Sequence, residues 1–220
     1  MSEVYLTFDD GPNKGTGDVL DALRERGAKA TFFLNLLRKA DRTAQWRLVQ
    51  RMIAEGHSLA NHGVDHDPMT KKGYQSSTTA AVKKDFTDNA EVLDQMLASA
   101  GIPARGMNLA RLPGDGRFQQ SYVEMIVREV KLPHVGWDME FSRTGLMSHV
   151  ANSNWQGLTG VSATRKDMPK HQEVLLLHDL HWSGHKVLLA SLIAKLQEKF
   201  DVRSMASLTP NLKCVTYSGQ

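Results

Sequence analysis

Short apolar runs alternate with longer amphipathic runs along nearly the whole chain, and this alternation restricts the possible folds more than any other feature. The short runs are rich in β-branched and aromatic residues, which is typical of strands. They lie at 4–8, 30–34, 58–60, 107–110, 134–138, 173–177 and 213–217. The longer runs carry apolar residues at helical spacing and lie at 16–26, 43–55, 77–100, 118–131 and 184–200. Strands that alternate with helices in this way predict a mostly parallel sheet, either open or closed into a barrel.

A single domain is predicted over 1–220, because the chain contains no linker, internal repeat or low-complexity tract. The least regular stretch, 141–172, is interpreted as a loop insertion over the functional site. The only cysteine is Cys214, which excludes an intramolecular disulfide bond. The net charge of +3 suits an anionic polymer but is too small to indicate a nucleic-acid partner.

The start of the chain runs directly into a strand pattern and lacks the features of a signal peptide. No apolar run reaches the length of a membrane span. Three explanations stay open: a cytoplasmic protein, export by a route without a cleaved leader, and a trimmed form of a secreted protein.

Two adjacent carboxylates, Asp9 and Asp10, end the first predicted strand in the sequence "TFDDGP". Neighbouring negative charges repel each other, and a bound cation would relieve that repulsion. In parallel α/β folds the carboxyl ends of the strands form the active site, so these two residues lie where function is expected. A capping carboxylate at a strand end is the plainer alternative.

Two histidines in "NHGVDH", His62 and His66, provide the other ligands that such a cation needs. Two histidines and one carboxylate form a ligand set typical of catalytic zinc with an open position for water, whose pKa zinc lowers to about 7. Since successive strand residues point to opposite faces, we expect one of Asp9 and Asp10 to bind metal and the other to act as a general base. Histidines four residues apart are also found without metal, so the combination with the paired carboxylates carries this prediction.

Five segments together resemble the NodB-type polysaccharide deacetylases, which form carbohydrate esterase family four. They are "TFDDGP" at 7–12, "ATFFLN" at 30–35, "NHGVDH" at 61–66, "RLPGDG" at 111–116 and "LLLHD" at 175–179. The resemblance implies a distorted (β/α) barrel with about seven parallel strands. It also implies removal of acetyl groups from polymers of N-acetylglucosamine, such as peptidoglycan or chitin, and in some members from acetylated xylan.

The resemblance further implies roles for individual residues. The catalytic set is Asp9 as general base, Arg111 holding that base, His178 as general acid, and Asp10, His62 and His66 as metal ligands. The resemblance places Leu176 in the acetyl-methyl pocket. The reaction chemistry adds a backbone N–H of the Pro113–Gly114 turn beside the oxyanion, and Trp155 is expected to contact the sugar as a replacement aromatic residue. Without the family, His178 and the aspartate after it fit a strand-end pair equally well. His181 and His185 fit a solvated loop better than a substrate or metal contact.

Two departures from the family pattern concern the substrate groove. Gly114 lies in "RLPGDG", which resembles the third motif of the family, at a position where that motif usually has an aromatic residue. The fourth motif usually ends in Asp-Trp, and "WDMEFSRTG" at 137–145 contains no such pair. Either Glu140 or Asp138 is expected to replace the acid, and Trp155 to replace the aromatic residue.

Three functions therefore remain open. The first is a metal-dependent N-acetylglucosamine deacetylase that uses Zn²⁺, or Co²⁺, Ni²⁺ or Mn²⁺, which the same ligands accept. The second is a deacetylase of O-acetyl sugars such as acetylxylan. The third is a catalytically silent carbohydrate-binding homologue. An N-acetylated glycan is the expected partner. The mildly basic chain weakly favours peptidoglycan, which is anionic, over neutral chitin. We expect a monomer.

Overall fold

Seven strands and five α-helices make up a computed structural model that describes residues 1–36, 42–64, 78–104, 106–114, 120–147, 150 and 154–205. The strands are β1 (Ser2–Gly11), β2 (Thr31–Leu34), β3 (Ser58–Asn61), β4 (Met139–Arg143), β5 (Val161–Ala163), β6 (Val174–His178) and β7 (Phe200–Arg203). The α-helices are α1 (Thr16–Glu25), α2 (Arg42–Ala54), α3 (Thr79–Ser99), α4 (Gln120–Met125) and α5 (Lys186–Gln197). A π-helical turn, Ile126–Val130, continues α4, and a 3₁₀ turn, Asp179–Trp182, follows β6.

The strands form one sheet in the order β3-β2-β1-β6-β4-β5, with β7 beside the first half of β1. All pairs are parallel except β4 with β5. Single parallel bridges from Ala110 to Asn61 and to His134 continue the sheet beyond β3. The chain is therefore a single-domain α/β fold with a mostly parallel sheet, as predicted. The pairings among the described residues do not close the sheet into a full barrel.

The two faces of β1 have different environments, and this separation creates the site. Val4, Leu6 and Phe8 are fully buried in the main apolar core. That core also contains the inward faces of α1 and α5, and each buried large apolar side chain contributes about 1.5–3 kcal/mol. Alternate residues point to the opposite face, which carries Thr7 and Asp9. Near the carboxyl end of β1 this second face carries the polar residues of the site, whereas Tyr5, nearer its start, packs in a smaller apolar cluster.

Three predicted helix ends are confirmed by their terminal glycines. Gly27, Gly56 and Gly101 all have positive φ, between 62° and 77°. The amide after each glycine donates back to a carbonyl five residues earlier in the chain, as from Ala28 to Leu23 at 3.0 Å. This left-handed closing turn favours glycine because no Cβ clashes with the backbone there.

Three predicted boundaries are wrong. The stretch 141–172 is not only a loop, because it contains the end of β4 and all of β5. Helix α5 ends at Gln197 and not at residue 200 as predicted. The chain then forms β7, in which Phe200 pairs with Ser2 of β1. In the predicted strand 134–138 only His134 forms a bridge, while β4 begins one residue later. These boundaries depend on which strands pair in the folded sheet, and the local sequence does not specify that pairing. The predicted strand 213–217 and Cys214 lie outside the described residues.

Candidate active site

Asp9 and Asp10 lie at the carboxyl end of β1, and both carboxylates approach the same imidazole. Asp9 Oδ2 is 3.6 Å and Asp10 Oδ1 is 3.4 Å from His62 Nε2. Asp10 has a φ of 69°, and the register with β2 shifts between Asp9 and Gly11. The expectation that the two side chains point apart is therefore wrong, because the left-handed residue interrupts strand alternation. An aspartate held in this conformation is a form of local strain that occurs at functional sites.

The loop after Asp10 is wrapped around a buried carboxyl group, that of Asp179. Thr16 Oγ1 donates to Asp179 Oδ2 and accepts from the backbone amide of Asn13 at 2.8 Å. A Cβ at Gly11 would lie 2.3 Å from Asp179 Oδ2, and one at Gly15 would lie 2.0 Å from the Asp179 carbonyl oxygen. Burial raises the pKa of Asp179 to about 7; the bond from Thr16 opposes that rise, and the nearby Asp10 and Asp9 charges add to it. Asp179 thus anchors the carboxylate loop to the end of β6.

His62 is held in one tautomer by the backbone. Its Nδ1 lies 2.7 Å from the carbonyl oxygen of Arg111, which can only accept, so Nδ1 carries the proton and the lone pair is on Nε2. His62 is 2% exposed. Burial lowers the pKa of His62, but the Asp9 and Asp10 carboxylates outweigh it and raise the pKa above the ordinary value. A buried nitrogen lone pair between two carboxylates attracts a cation or a proton.

The turn that carries His62 is shaped by buried amide side chains. Asn35 Nδ2 donates to the carbonyl oxygens of His62 and Gly63, at 2.8 and 2.9 Å. Asn61 Oδ1 accepts from the Gly63 amide and from Asn89 Nδ2. Gly63 has a φ of 80°, and a Cβ there would lie 2.0 Å from Asp85 Oδ2. Only glycine therefore fits this turn of the "NHGVDH" segment.

Arg111 is fully buried and links Asp9 to His62. Its Nη1 donates to Asp9 Oδ1 at 2.7 Å and to Thr7 Oγ1 at 2.9 Å. Nε and Nη2 donate to the carbonyl oxygens of residues 135 and 136, and the guanidinium lies 4.0 Å from the Phe33 ring centroid. Its own carbonyl oxygen accepts from His62. The structure thus brings Arg111 to Asp9, as the resemblance implies.

Thr7 is a site residue that the sequence reasoning missed. Its hydroxyl accepts from Arg111 and donates to the Leu175 carbonyl oxygen at 2.9 Å. The available signal was its position two residues before Asp9, on the same strand face, because a buried hydroxyl there needs partners.

His178 is the register partner of Asp9, on the strand beside β1. Its side chain is 19% exposed, and its Nδ1 lies 3.7 Å from Glu140 Oε1. Asp138 Oδ2 instead accepts from the Val174 amide at 2.8 Å. Of the two acids considered for this position, Glu140 is therefore the one beside His178. Glu140 is 2% exposed and lies one layer below the histidine, at the register of Leu176.

The remaining predicted residues are placed less uniformly. Leu176 is 2% exposed and shares its strand face with His178, so it lies near the imidazole. Pro113 is buried, and Gly114 is exposed with a φ of 68°. Trp155 is 1% exposed and packs edge-on against Phe141 at 4.8 Å, so it does not present a ring to a sugar at the surface. His66 lies outside the described residues.

The donor set fits a divalent cation, although the described residues contain only part of it. No three His, Cys, Asp or Glu side chains in the described part of the chain are grouped to hold a metal ion. Asp10 and His62 are two of the three predicted ligands, and the third, His66, lies outside that part. His62 Nε2 faces carboxylate oxygens, and an arrangement of nitrogen and oxygen donors of this kind suits Zn²⁺.

The buried Asp9–Arg111 pair, the strand-end imidazole of His178 and the neighbouring Asp10 and His62 side chains form a candidate hydrolase site on an α/β fold. A family model described as "Polysaccharide deacetylase" matches residues 1–112, which contain Asp9, Asp10 and His62. The chain belongs to the polysaccharide deacetylase family, and it is an enzyme of that class. No helix in the described ranges is long and apolar enough to cross a membrane.

Known proteins support this assignment over most of the chain. A chitooligosaccharide deacetylase of Bradyrhizobium sp. is 26% identical over 220 residues, covering 96% of this chain and 84% of that protein. A bifunctional xylanase/deacetylase of Pseudobutyrivibrio xylanivorans is 46% identical over 190 residues, 84% of this chain but 26% of that protein. The crystal structure of a polysaccharide deacetylase from Bacillus cereus has a TM-score of 0.66 at 25% identity and covers 93% of this chain and 92% of its own.

Proposed function

We propose that the chain removes acetyl groups from N-acetylglucosamine units of a glycan by metal-assisted hydrolysis. The pairing of Asp9 with His178 on adjacent parallel strands carries this proposal, since it sets a proton acceptor beside a proton donor at one end of the sheet. Amide hydrolysis needs both, because water must lose a proton as it attacks and the leaving amine must gain one.

Asp10 and His62, together with His66, would hold the metal ion. Zn²⁺ is the expected ion, and Co²⁺, Ni²⁺ and Mn²⁺ suit the same ligands. When bound, the ion supplies a Lewis acid that activates water and stabilises the charge that develops on the acetyl oxygen. The carbonyl of Arg111 keeps His62 Nε2 available as a ligand.

Asp9 is the proposed general base. One carboxylate oxygen is held by Arg111, while the other lies 3.6 Å from His62 Nε2 and thus borders the proposed metal position. Arg111 balances the negative charge of Asp9 and fixes its orientation, so the free oxygen can accept a proton from the attacking water.

His178 is the proposed general acid, which donates a proton to the leaving nitrogen. Glu140 lies on the Nδ1 side of the ring, so Nε2 remains for the substrate. A carboxylate on that side orients the ring, so that Nε2 can face the leaving nitrogen. Glu140 thus supplies the acid that the altered fourth motif lacks.

The relatives favour two substrate classes. Similarity to a chitooligosaccharide deacetylase over nearly the whole chain supports an N-acetylated glycan, which we take as the substrate. Similarity to about a quarter of a bifunctional xylanase/deacetylase supports the second candidate, an O-acetylated sugar.

Acetate release tests both candidates after chelation, with and without added Zn²⁺. The substrates are N-acetylglucosamine oligomers, purified peptidoglycan and acetylated xylan. Zinc-dependent acetate release with a free amine on the product supports the proposal and ranks the two N-acetylated polymers. Release from xylan alone replaces it with the second candidate. If zinc binds but no substrate yields acetate, the silent carbohydrate-binding homologue becomes the better interpretation.

A further inference from the structure

His181 is a second imidazole at the active site, and no catalytic role above requires it. It lies in the 3₁₀ turn after β6, with its ring centroid 5.0 Å from that of His178. It is partly buried, so it is not the solvated loop residue that its sequence context favours. Its Nδ1 lies 3.3 Å from Ser142 Oγ, and Ser142 is fully buried on β4.

The two contacts of the Ser142 hydroxyl favour one tautomer of His181. Ser142 Oγ lies 3.3 Å from the carbonyl oxygen of Arg143 as well as from His181 Nδ1. A hydroxyl group has one proton, and a carbonyl oxygen can only accept. Both contacts are satisfied when Ser142 donates to Arg143 and His181 Nδ1–H donates to Ser142. His181 Nε2 then carries an unshared lone pair.

That lone pair is available to a ligand. Among the described residues Nε2 has no hydrogen-bond partner, and it is not one of their buried unsatisfied atoms, so it reaches solvent. Burial, and next the His178 charge, lower the pKa of His181 to about 4, and Arg143 acts in the same direction while Asp10 opposes it. The imidazole therefore stays neutral above about pH 5 and keeps its acceptor.

We propose that His181 is a substrate-binding residue whose Nε2 accepts a hydrogen bond from a hydroxyl group of the sugar ring that carries the acetyl group. This inference rests on the proposed function, because it needs a hydroxyl-bearing substrate beside His178. Sugars carry hydroxyl donors close to the acetamido group. A nitrogen that can only accept a hydrogen bond selects substrates with such a donor. Ser142 is the positioning residue that fixes the ring.

The test compares His181→Phe, His181→Gln and the matched control His185→Gln, all with Zn²⁺ present. His185 lies in the same segment, at the start of α5. The substrates are the tetramer of N-acetylglucosamine and 4-nitrophenyl acetate, which has no hydroxyl group to donate. His181→Phe should raise KM for the tetramer about 3- to 10-fold, the effect of one lost neutral hydrogen bond. The kcat value, its pH profile and hydrolysis of 4-nitrophenyl acetate should stay unchanged. His181→Gln keeps an acceptor and should lie between wild type and His181→Phe.

Three results would overturn the inference. The first is a KM for the tetramer within twofold of wild type. The second is a lower kcat or a shifted pH profile at unchanged KM, which would mean that His181 acts through His178. The third is an equal loss on both substrates, which indicates a structural role. If wild type releases acetate from neither the tetramer nor peptidoglycan, the proposed function fails. The inference is then decided by calorimetric binding of the same tetramer to wild type and to His181→Phe, where equal affinities would refute it.

Discussion

Replacing Arg111 tests how the site is held, because one buried guanidinium there satisfies four acceptors. It donates to Asp9, to Thr7 and to the carbonyl oxygens of residues 135 and 136. Arg111→Met keeps an apolar side chain but leaves the buried Asp9 carboxylate without its cation. Breaking a buried ion pair costs about 3–5 kcal/mol, and each neutral acceptor left unsatisfied adds roughly 1 kcal/mol. The free energy of unfolding should therefore fall by about 6–8 kcal/mol, which is comparable with the roughly 5–15 kcal/mol that stabilises a domain.

Urea unfolding followed by tryptophan fluorescence measures this loss, and Trp137, with its ring centroid 5.7 Å from the guanidinium, lies close enough to report on the site. Arg111→Lys retains the charge but cannot reach four acceptors, so it should lose about 2–3 kcal/mol. The control is Arg24→Met, since Arg24 is 65% exposed and its ion pair with Asp21 contributes less than about 1 kcal/mol. If Arg111→Met unfolds within about 1 kcal/mol of wild type, the buried pair does not stabilise the site as argued.

Four further changes test the site and the core. Asp9→Asn should lower kcat for acetate release at least about 100-fold while zinc still binds in equilibrium dialysis, because an amide cannot accept the proton; near-normal turnover would refute the base assignment. Glu140→Gln should lower kcat for acetate release at least about 10-fold with zinc binding unchanged, because its carboxylate, 3.7 Å from His178 Nδ1, orients the ring; a kcat within twofold of wild type would remove Glu140 from the mechanism. Burial, followed by the Lys29 charge, lowers the pKa of His57 to about 4 from 6.5. The folded protein excludes a proton that the unfolded chain binds, so the free energy of unfolding falls by up to about 3 kcal/mol as the pH drops from 6.5 to 4. Urea unfolding of His57→Gln at several pH values should show a weaker dependence of this free energy on pH. The raised pKa of Asp179 acts in the opposite direction, because stability present below pH 3.8 is lost as the pH rises through about 7. In metal-free protein at pH 8, Asp179→Asn should therefore have a higher urea midpoint than wild type, with a free energy of unfolding that is larger by up to about 4 kcal/mol. Equal midpoints would show that ionisation of Asp179 does not destabilise the fold.

Much of the site could be predicted because its parts lie at strand ends. Asp9, Asp10 and His178 each follow a short apolar run, and a parallel sheet brings the carboxyl ends of such runs together. Arg111 was assigned only through the family resemblance, because nothing in its local sequence shows that it would be buried against Asp9. Trp155 was misplaced for the converse reason, since an aromatic residue beside a predicted site can equally fill the core.

The sequence by itself determined the α/β class, the helix ends at glycine and the group of strand-end residues from which the site is built. Those features depend on local periodicity and on backbone conformation, which each short segment carries within itself. Only the tertiary structure decided that both carboxylates face His62, that Glu140 rather than Asp138 lies beside His178, and that Ser142 lies beside His181 Nδ1. These placements depend on the register between strands that are distant in sequence and on the left-handed conformation of Asp10. Both create contacts that no local sequence pattern encodes.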